Sequence, residues 1–221
     1  MENIYYSEER CKCMLKIKMA NEFLVAKWKL WYKSLDVNHD GKISIEDIKH
    51  LKYRLMNHMS NIQAIYIVFC FVEKSSKFSD LHNLDADKAK TVQDNFTKWW
   101  NDFVFRGRTG EIEEAEFIDS LNKDFTTDKV KFIEGMTTCF NTFFDVIDTN
   151  KDRSISEDEF LIAFKAYGHE NVVLDTKFFQ AYNPKDGLVS LRQIVDSWIE
   201  FVTSEDASKG SIVKAAFESG V

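Results

Sequence analysis

Two twelve-residue stretches, 36–47 (DVNHDGKISIED) and 148–159 (DTNKDRSISEDE), carry oxygen-bearing side chains at alternate positions and end on a carboxylate. Apolar residues at helical spacing precede both. Phe23, Trp28, Trp31 and Leu35 lead into the first; Phe132, Met136, Cys139, Phe140, Phe143, Phe144 and Ile147 lead into the second. Asp- and Asn-rich runs are by themselves ordinary turns. Here alternate oxygens, an Ile at the eighth position and helical apolar stripes coincide twice, which a turn does not require. Such a chain folds as helix, tight polar loop, helix, and does so more than once.

Composition agrees. With 1 Pro and 8 Gly in 221 residues, long helices are favoured over a turn-rich β fold. The 44% apolar content and 19 Phe supply a large aromatic core. A net charge of −7 leaves no basic surplus to neutralise phosphates, so nucleic acid is excluded as a partner. The longest apolar run, 64–72, is about half a membrane span, so no membrane insertion is expected. Met1-Glu2-Asn3 lacks the basic-then-apolar pattern of a leader, and Glu2 stands where myristoylation needs Gly. Cys70 and Cys139 sit in apolar runs and read as buried thiols of a reducing compartment. Cys11 and Cys13, with one residue between them, lack the further ligands that zinc requires. A cytoplasmic monomer is expected.

The alternate oxygens suit one chemistry. Ca²⁺ is a hard cation that gathers six to eight oxygens at about 2.3–2.6 Å. The EF-hand loop supplies them from positions 1, 3 and 5, the carbonyl of 7, a group at 9 and a carboxylate at 12, with a sharp turn at 6. In loop I (36–47) these are Asp36, Asn38, Asp40, Lys42 through its carbonyl, Ser44 and Asp47, with Gly41 at the turn. In loop III (148–159) they are Asp148, Asn150, Asp152, Ser154 through its carbonyl, Ser156 and Glu159. Neither loop obeys the strict motif. Asp47 replaces the usual Glu and is one methylene shorter, which favours six-coordination and admits Mg²⁺ at the first site. Arg153 replaces the usual Gly, and its left-handed conformation costs roughly 1–2 kcal/mol. The second site is therefore expected to be Ca²⁺-selective but weakened.

EF-hands pair, so partner loops are expected. Loop II (105–116) keeps Gly110 at position 6, Ile112 at 8 and Glu116 at 12, but Phe105, Gly107 and Thr109 offer no carboxylate. Loop IV (182–193) keeps Gly187 and Val189, with Tyr182, Pro184 and Gln193 at positions 1, 3 and 12. Both read as silent hands whose eighth residues bridge to Ile43 and Ile155. A rival frame with Asn83, Asp85 and Asp87 puts Lys at positions 6 and 8 and is rejected. The helix entering loop II starts near Asp85 and carries Phe96, Trp99, Trp100 and Phe103; another runs over 172–182. Ser44 with Asp47, Ser156 with Glu159 and Ser190 with Gln193 resemble capping boxes that start the exit helices. The expected architecture is all-α: four helix-loop-helix units in two packed lobes with short β-bridges. An N-terminal pair spans 1–124 with an insertion near 74–90, a C-terminal pair spans 125–203, and a tail covers 204–221.

Asp36-Val37-Asn38-His39-Asp40-Gly41, Phe144-Asp145-Val146-Ile147-Asp148-Thr149, Lys165-Ala166-Tyr167-Gly168 and the tail around Trp198–Asp206 resemble the invertebrate sarcoplasmic calcium-binding proteins and calexcitin. That resemblance implies packed lobes and a tail covering part of the core. Calexcitin-like nucleotide binding does not carry over, because no phosphate-binding Gly-rich loop is present. His39, His50, His58, His82 and His169 have no metal-ligand spacing, and no nucleophile signature appears, so no enzyme is expected.

Three functions are compatible with this reading. One is a Ca²⁺ buffer or signal modulator whose tail, 211–217, plugs a cleft. Another is a sensor that exposes apolar surface to a target protein. The third is a luciferin-binding or photoprotein-like ligand binder. Photoproteins follow an Arg-Gln pair with His, whereas Arg192-Gln193 precedes Ile194 here, although Trp198 matches their Trp.

Overall fold

The computed structural model describes residues 19–36, 39–44, 47, 87, 91, 94–95, 98–166, 169 and 171–221. Asn38, Phe96, Cys11, Cys13, Cys70, His50, His58, His82 and most of 74–90 lie outside the described residues. Among those described, seven α-helices, one π-helical segment and four short strands alternate along the chain. No described helix is long and apolar enough to cross a membrane.

Helix α1 (Glu22–Leu35) starts at Asn21, whose side chain accepts from the Leu24 N–H. Its buried stripe of Leu24, Trp28, Trp31, Tyr32 and Leu35 repeats every three to four residues, as a core-facing helix must. Strand β1 (Lys42–Ile43) follows in loop I. Asp87, Thr91, Asp94, Asn95, Lys98 and Trp99 are helical, and the Thr91 hydroxyl donates to the Asp87 carbonyl at 2.9 Å. That places Asp87 and Asp94 on a helix, not in the rival metal loop.

The segment then widens into a π-helix (Trp100–Phe105) that ends on left-handed Arg106. A regular helix was expected here. The wider turn lets Trp100 and Phe105, five residues apart, both face the core with ring centroids 6.0 Å apart.

Strand β2 (Ile112–Glu113) leads into α2 (Glu114–Thr127). Helix α3 (Lys129–Ile147) is capped by Asp128, which accepts from the Lys131 N–H. Strand β3 (Ser154–Ser156) and α4 (Glu157–Ala166) complete the third hand. Helix α5 (Val172–Gln180), strand β4 (Leu188–Ser190) and α6 (Leu191–Thr203) form the fourth, and α7 (Ile212–Glu218) follows.

The strands pair as the eighth-position rule requires. Antiparallel β1 and β2 set Ile43 opposite Ile112, and β3 and β4 set Ile155 opposite Val189. All four side chains are buried. Trp31 joins the two halves, packing on Phe117 of α2 and Phe140 of α3 with centroids at 5.4 and 5.7 Å. Helix α7 lies on α6, where Phe217 meets Trp198 and Phe201 edge-on and Val213 is fully buried.

A polar seam ties α1 to the end of α6. Trp28 Nε1 donates to the Val202 carbonyl at 2.9 Å, and Asn21 Nδ2 donates to the Glu205 carbonyl at 2.7 Å. Lys27, 1% exposed, donates from Nζ to the Ser204 carbonyl at 2.7 Å and to the Glu200 carbonyl at 3.3 Å. It thereby satisfies the Ser204 carbonyl just past the helix end and shares the Glu200 carbonyl with the Ser204 N–H. Burial pulls the Lys27 ammonium down from 10.5 to about 8; the Glu200 charge opposes that shift and the Lys214 charge adds to it. A lowered folded-state value means that, between pH 8 and 10.5, the unfolded chain binds more protons. Stability contributed by Lys27 therefore rises across that window. The unfolding free energy of the wild type relative to Lys27→Met should climb between pH 7 and 10 in urea titrations; a flat difference would contradict the desolvated ammonium.

Candidate metal centres

Loop I and loop III share a backbone path. Their fourth residues, His39 and Lys151, have φ of 60° and 61°, and their sixth, Gly41 and Arg153, have 88° and 67°. Arg153 thus adopts the left-handed conformation normally left to glycine. The purpose is visible in the hydrogen bonds. The Gly41 N–H donates to Asp36 Oδ2 and the Arg153 N–H to Asp148 Oδ2, both at 3.0 Å. Each first-position carboxylate is thereby turned into its loop with one oxygen anchored.

The fifth-position carboxylates are held similarly. Asp40 Oδ1 accepts from the Lys42 N–H at 3.0 Å, and Asp152 Oδ1 from the Ser154 N–H at 2.8 Å. Asn150 Oδ1 accepts from the Asp152 N–H at 3.0 Å. Ser44 is buried, Ser156 and Lys42 are half-buried, and Asp40, Asn150 and Asp152 are exposed.

At position 12 the loops diverge. Glu159 spans its loop: Oε1 accepts from the Thr149 N–H and hydroxyl at 2.9 and 2.8 Å, Oε2 from the Ser156 N–H and hydroxyl at 3.0 and 2.9 Å. Burial alone would raise the Glu159 carboxyl, but these hydrogen bonds outweigh it and hold it below the ordinary value. The Glu159 N–H returns a bond to Ser156 Oγ at 3.2 Å, completing a capping box. Asp47, fully buried, takes the Ser44 N–H at 2.6 Å with Oδ2. Sequence reading did not single out Thr149, although a hydroxyl next to a position-1 Asp was a usable signal. It also passed over Tyr32, whose hydroxyl reaches the Gly41 carbonyl at 2.7 Å and the Ile112 carbonyl at 2.9 Å and so ties loop I to its partner strand. Burial, followed by the charges of Asp36 and Asp47, pushes the Tyr32 phenol up to about 12.

Among the described residues no three Asp, Glu, His or Cys side chains already form a metal cluster. What the loops offer instead is one unsatisfied oxygen each. Asp36 Oδ1 and Asp148 Oδ1 are buried and have no hydrogen-bond partner. An ionised acceptor in that state is costly unless a cation meets it. The carboxylate, hydroxyl and carbonyl oxygens that each loop carries are of the kind a hard divalent ion such as Ca²⁺ or Mg²⁺ takes.

Loops of this construction, flanked by helices and joined in pairs through two-strand bridges, define an EF-hand calcium-binding protein. The family model described as EF hand matches residues 33–52. The sarcoplasmic calcium-binding protein of Mizuhopecten yessoensis is 46% identical over 199 residues, covering 90% of this chain and 99% of that protein. This chain belongs to the sarcoplasmic calcium-binding proteins, a family of calcium binders and not of enzymes. Its fold is similar to that of the calcium-loaded apo coelenterazine-binding protein from Renilla muelleri, with a TM-score of 0.61 at 19% identity over 88% and 94% of the two chains. It is also similar to an amphioxus sarcoplasmic calcium-binding protein, with a TM-score of 0.52 at 16% identity over 89% and 97%.

If the unpaired Oδ1 of Asp148 is a cost borne by the metal-free protein, Asp148→Asn should stabilise that form by about 1–3 kcal/mol. The same change should remove one Ca²⁺ from the binding stoichiometry. Denaturant titration in chelator, paired with calorimetry in Ca²⁺, checks both outcomes.

Proposed function

We propose that the protein is a cytosolic Ca²⁺ buffer with one working site in each pair of hands, loop I in 1–124 and loop III in 125–203. The observation that carries this reading is the buried, unpartnered Oδ1 at the first position of those two loops. Loops II and IV have Phe105 and Tyr182 there, which supply no carboxylate.

The two partner loops are closed without an ion. In loop II, Arg108 Nη1 lies 3.3 Å from Oε1 of Glu116, so a tethered cation faces the position-12 carboxylate. In loop IV, Gln193 Nε2 donates to the Tyr182 carbonyl at 2.7 Å, joining positions 12 and 1 directly. Their backbones also depart from the working loops: Arg106 and Gly107 are left-handed in loop II, Asn183 and Asp186 in loop IV. These hands supply the bridging strands and no ligands.

A buffer is favoured over a sensor because the C-terminal segment already occupies apolar surface. Val213 and Ala216 of α7 are buried, and Phe217 packs on two aromatic rings of α6. The apolar cavity lined by Trp31, Trp99, Phe140 and Trp198 holds about 90 Å³. Ligand pockets for drug-sized molecules run from about 300 Å³ upward, which argues against a bulky luciferin-like ligand. The name of the Mizuhopecten yessoensis relative, a sarcoplasmic protein, supports a cytoplasmic location.

Asp47 makes the first site the more permissive toward Mg²⁺, since its shorter side chain suits six-coordination. Calorimetric titration of Asp36→Ala and Asp148→Ala, each with and without millimolar Mg²⁺, tests the assignment. Two Ca²⁺ per wild-type chain are expected, with Mg²⁺ competing mainly when loop I is the surviving site; equal competition at both would refute the difference. A dye sensitive to exposed apolar surface should change little on adding Ca²⁺. A strong Ca²⁺-dependent rise would favour the sensor instead.

A further inference from the structure

Loop III holds its sixth position without glycine, and both of its left-handed residues reach to one acceptor. Lys151 and Arg153, with φ of 61° and 67°, direct their side chains to Asp145 on the last turn of α3. Arg153 Nη1 lies 3.1 Å from Asp145 Oδ1, and Lys151 Nζ lies 3.6 Å from Oδ2. Lys151 Nζ also donates to the Asp145 carbonyl. Loop I has the same backbone at His39 and Gly41, yet the residue three before its start is Lys33. The acidic anchor is present where glycine is absent.

We propose that Asp145 is a positioning residue for Ca²⁺ at the second site, clamping Arg153 in the left-handed conformation that loop III needs. Asp145 lies outside the twelve-residue loop and is not a ligand. Its effect passes through the Arg153 backbone. While Arg153 is held left-handed, its N–H meets Asp148 Oδ2 at 3.0 Å and leaves Oδ1 facing the ion position. Released, an arginine relaxes toward right-handed backbone, the N–H turns away, and Asp148 loses its anchor. Two cationic side chains beside a calcium loop would otherwise repel the incoming ion; Asp145 offsets that charge as well. The clamp is half-exposed, so its effect is modest, about threefold to fivefold in affinity, the range that exposed ion pairs produce.

The inference rests on loop III being a working site, and the test separates the two. Full-length wild type, Asp145→Asn, Asp145→Glu, Arg153→Gly and Asp145→Asn/Arg153→Gly are titrated with Ca²⁺. The backbone amide of Ile155 reports loop III in ¹H–¹⁵N spectra, and that of Gly41 reports loop I as an internal reference. Asp145→Asn should weaken the Ile155 response about threefold to fivefold, leave the Gly41 response unchanged and speed Ca²⁺ release to a chelator. Asp145→Glu should restore most of the loss. On the Arg153→Gly background, where no clamp is needed, Asp145→Asn should cost less than twofold. An equal loss on both backgrounds would mean that Asp145 acts only as a nearby charge, and no loss on either would also overturn the clamp. Absence of any Ca²⁺ response at Ile155 in the wild type would instead overturn the two-site reading, and the clamp with it.

Discussion

A carboxylate oxygen held away from water without a partner is the constraint on which the two metal loops turn. Asp36 and Asp148 each have one oxygen fastened by a backbone N–H and one left bare. The left-handed sixth residue aims that N–H, and the bridging strands hold the loop in place. Those features serve to keep an acceptor in a position that only a cation satisfies well. Stability without metal and affinity for metal are therefore opposed at both loops.

Loops I and III differ in their hydrogen bonds at position 12. Glu159 bonds both ends of loop III, through Thr149 and Ser156. Loop I has Val37 in place of Thr149 and Asp47 in place of Glu159. Tyr32 connects Gly41 to Ile112 on the partner loop, beside the β1–β2 pairing.

Much of this was legible in the residues. Alternate oxygens marked both loops, and the eighth-position rule placed Ile43 opposite Ile112 and Ile155 opposite Val189. Gly-to-Arg replacement at 153 pointed to a left-handed arginine, which the backbone has. The helical stripes found the core because burial repeats with the helix turn. Other features depend on tertiary packing and leave little trace in the order of residues. Lys27 falls on the apolar face of α1 and is buried there because its ammonium reaches the Ser204 carbonyl past the end of α6. The π-turn at Trp100 arises from the need to bury two rings five residues apart, which no local propensity announces. Gln193 looked like part of a capping box, but its amide reaches the Tyr182 carbonyl, while Ser190 caps the helix through its own hydroxyl. Asn38, a ligand position of loop I, lies outside the described residues.

The seam between α1 and α6 also bears on the order in which the molecule is completed. Asn21, Lys27 and Trp28 find their acceptors between 173 and 184 residues further along the chain. During synthesis α1 emerges long before Glu205, so the helix that leads into loop I has no partner for these donors while most of the chain is made. Contacts so distant in sequence form late in folding as well, since their loop-closure entropy is met only after local structure is in place. Lys27 stays hydrated and charged until then. The helix that leads into loop I is therefore fastened at its start by residues near the other end of the polypeptide, and its docking is completed only when the C-terminal segment is present.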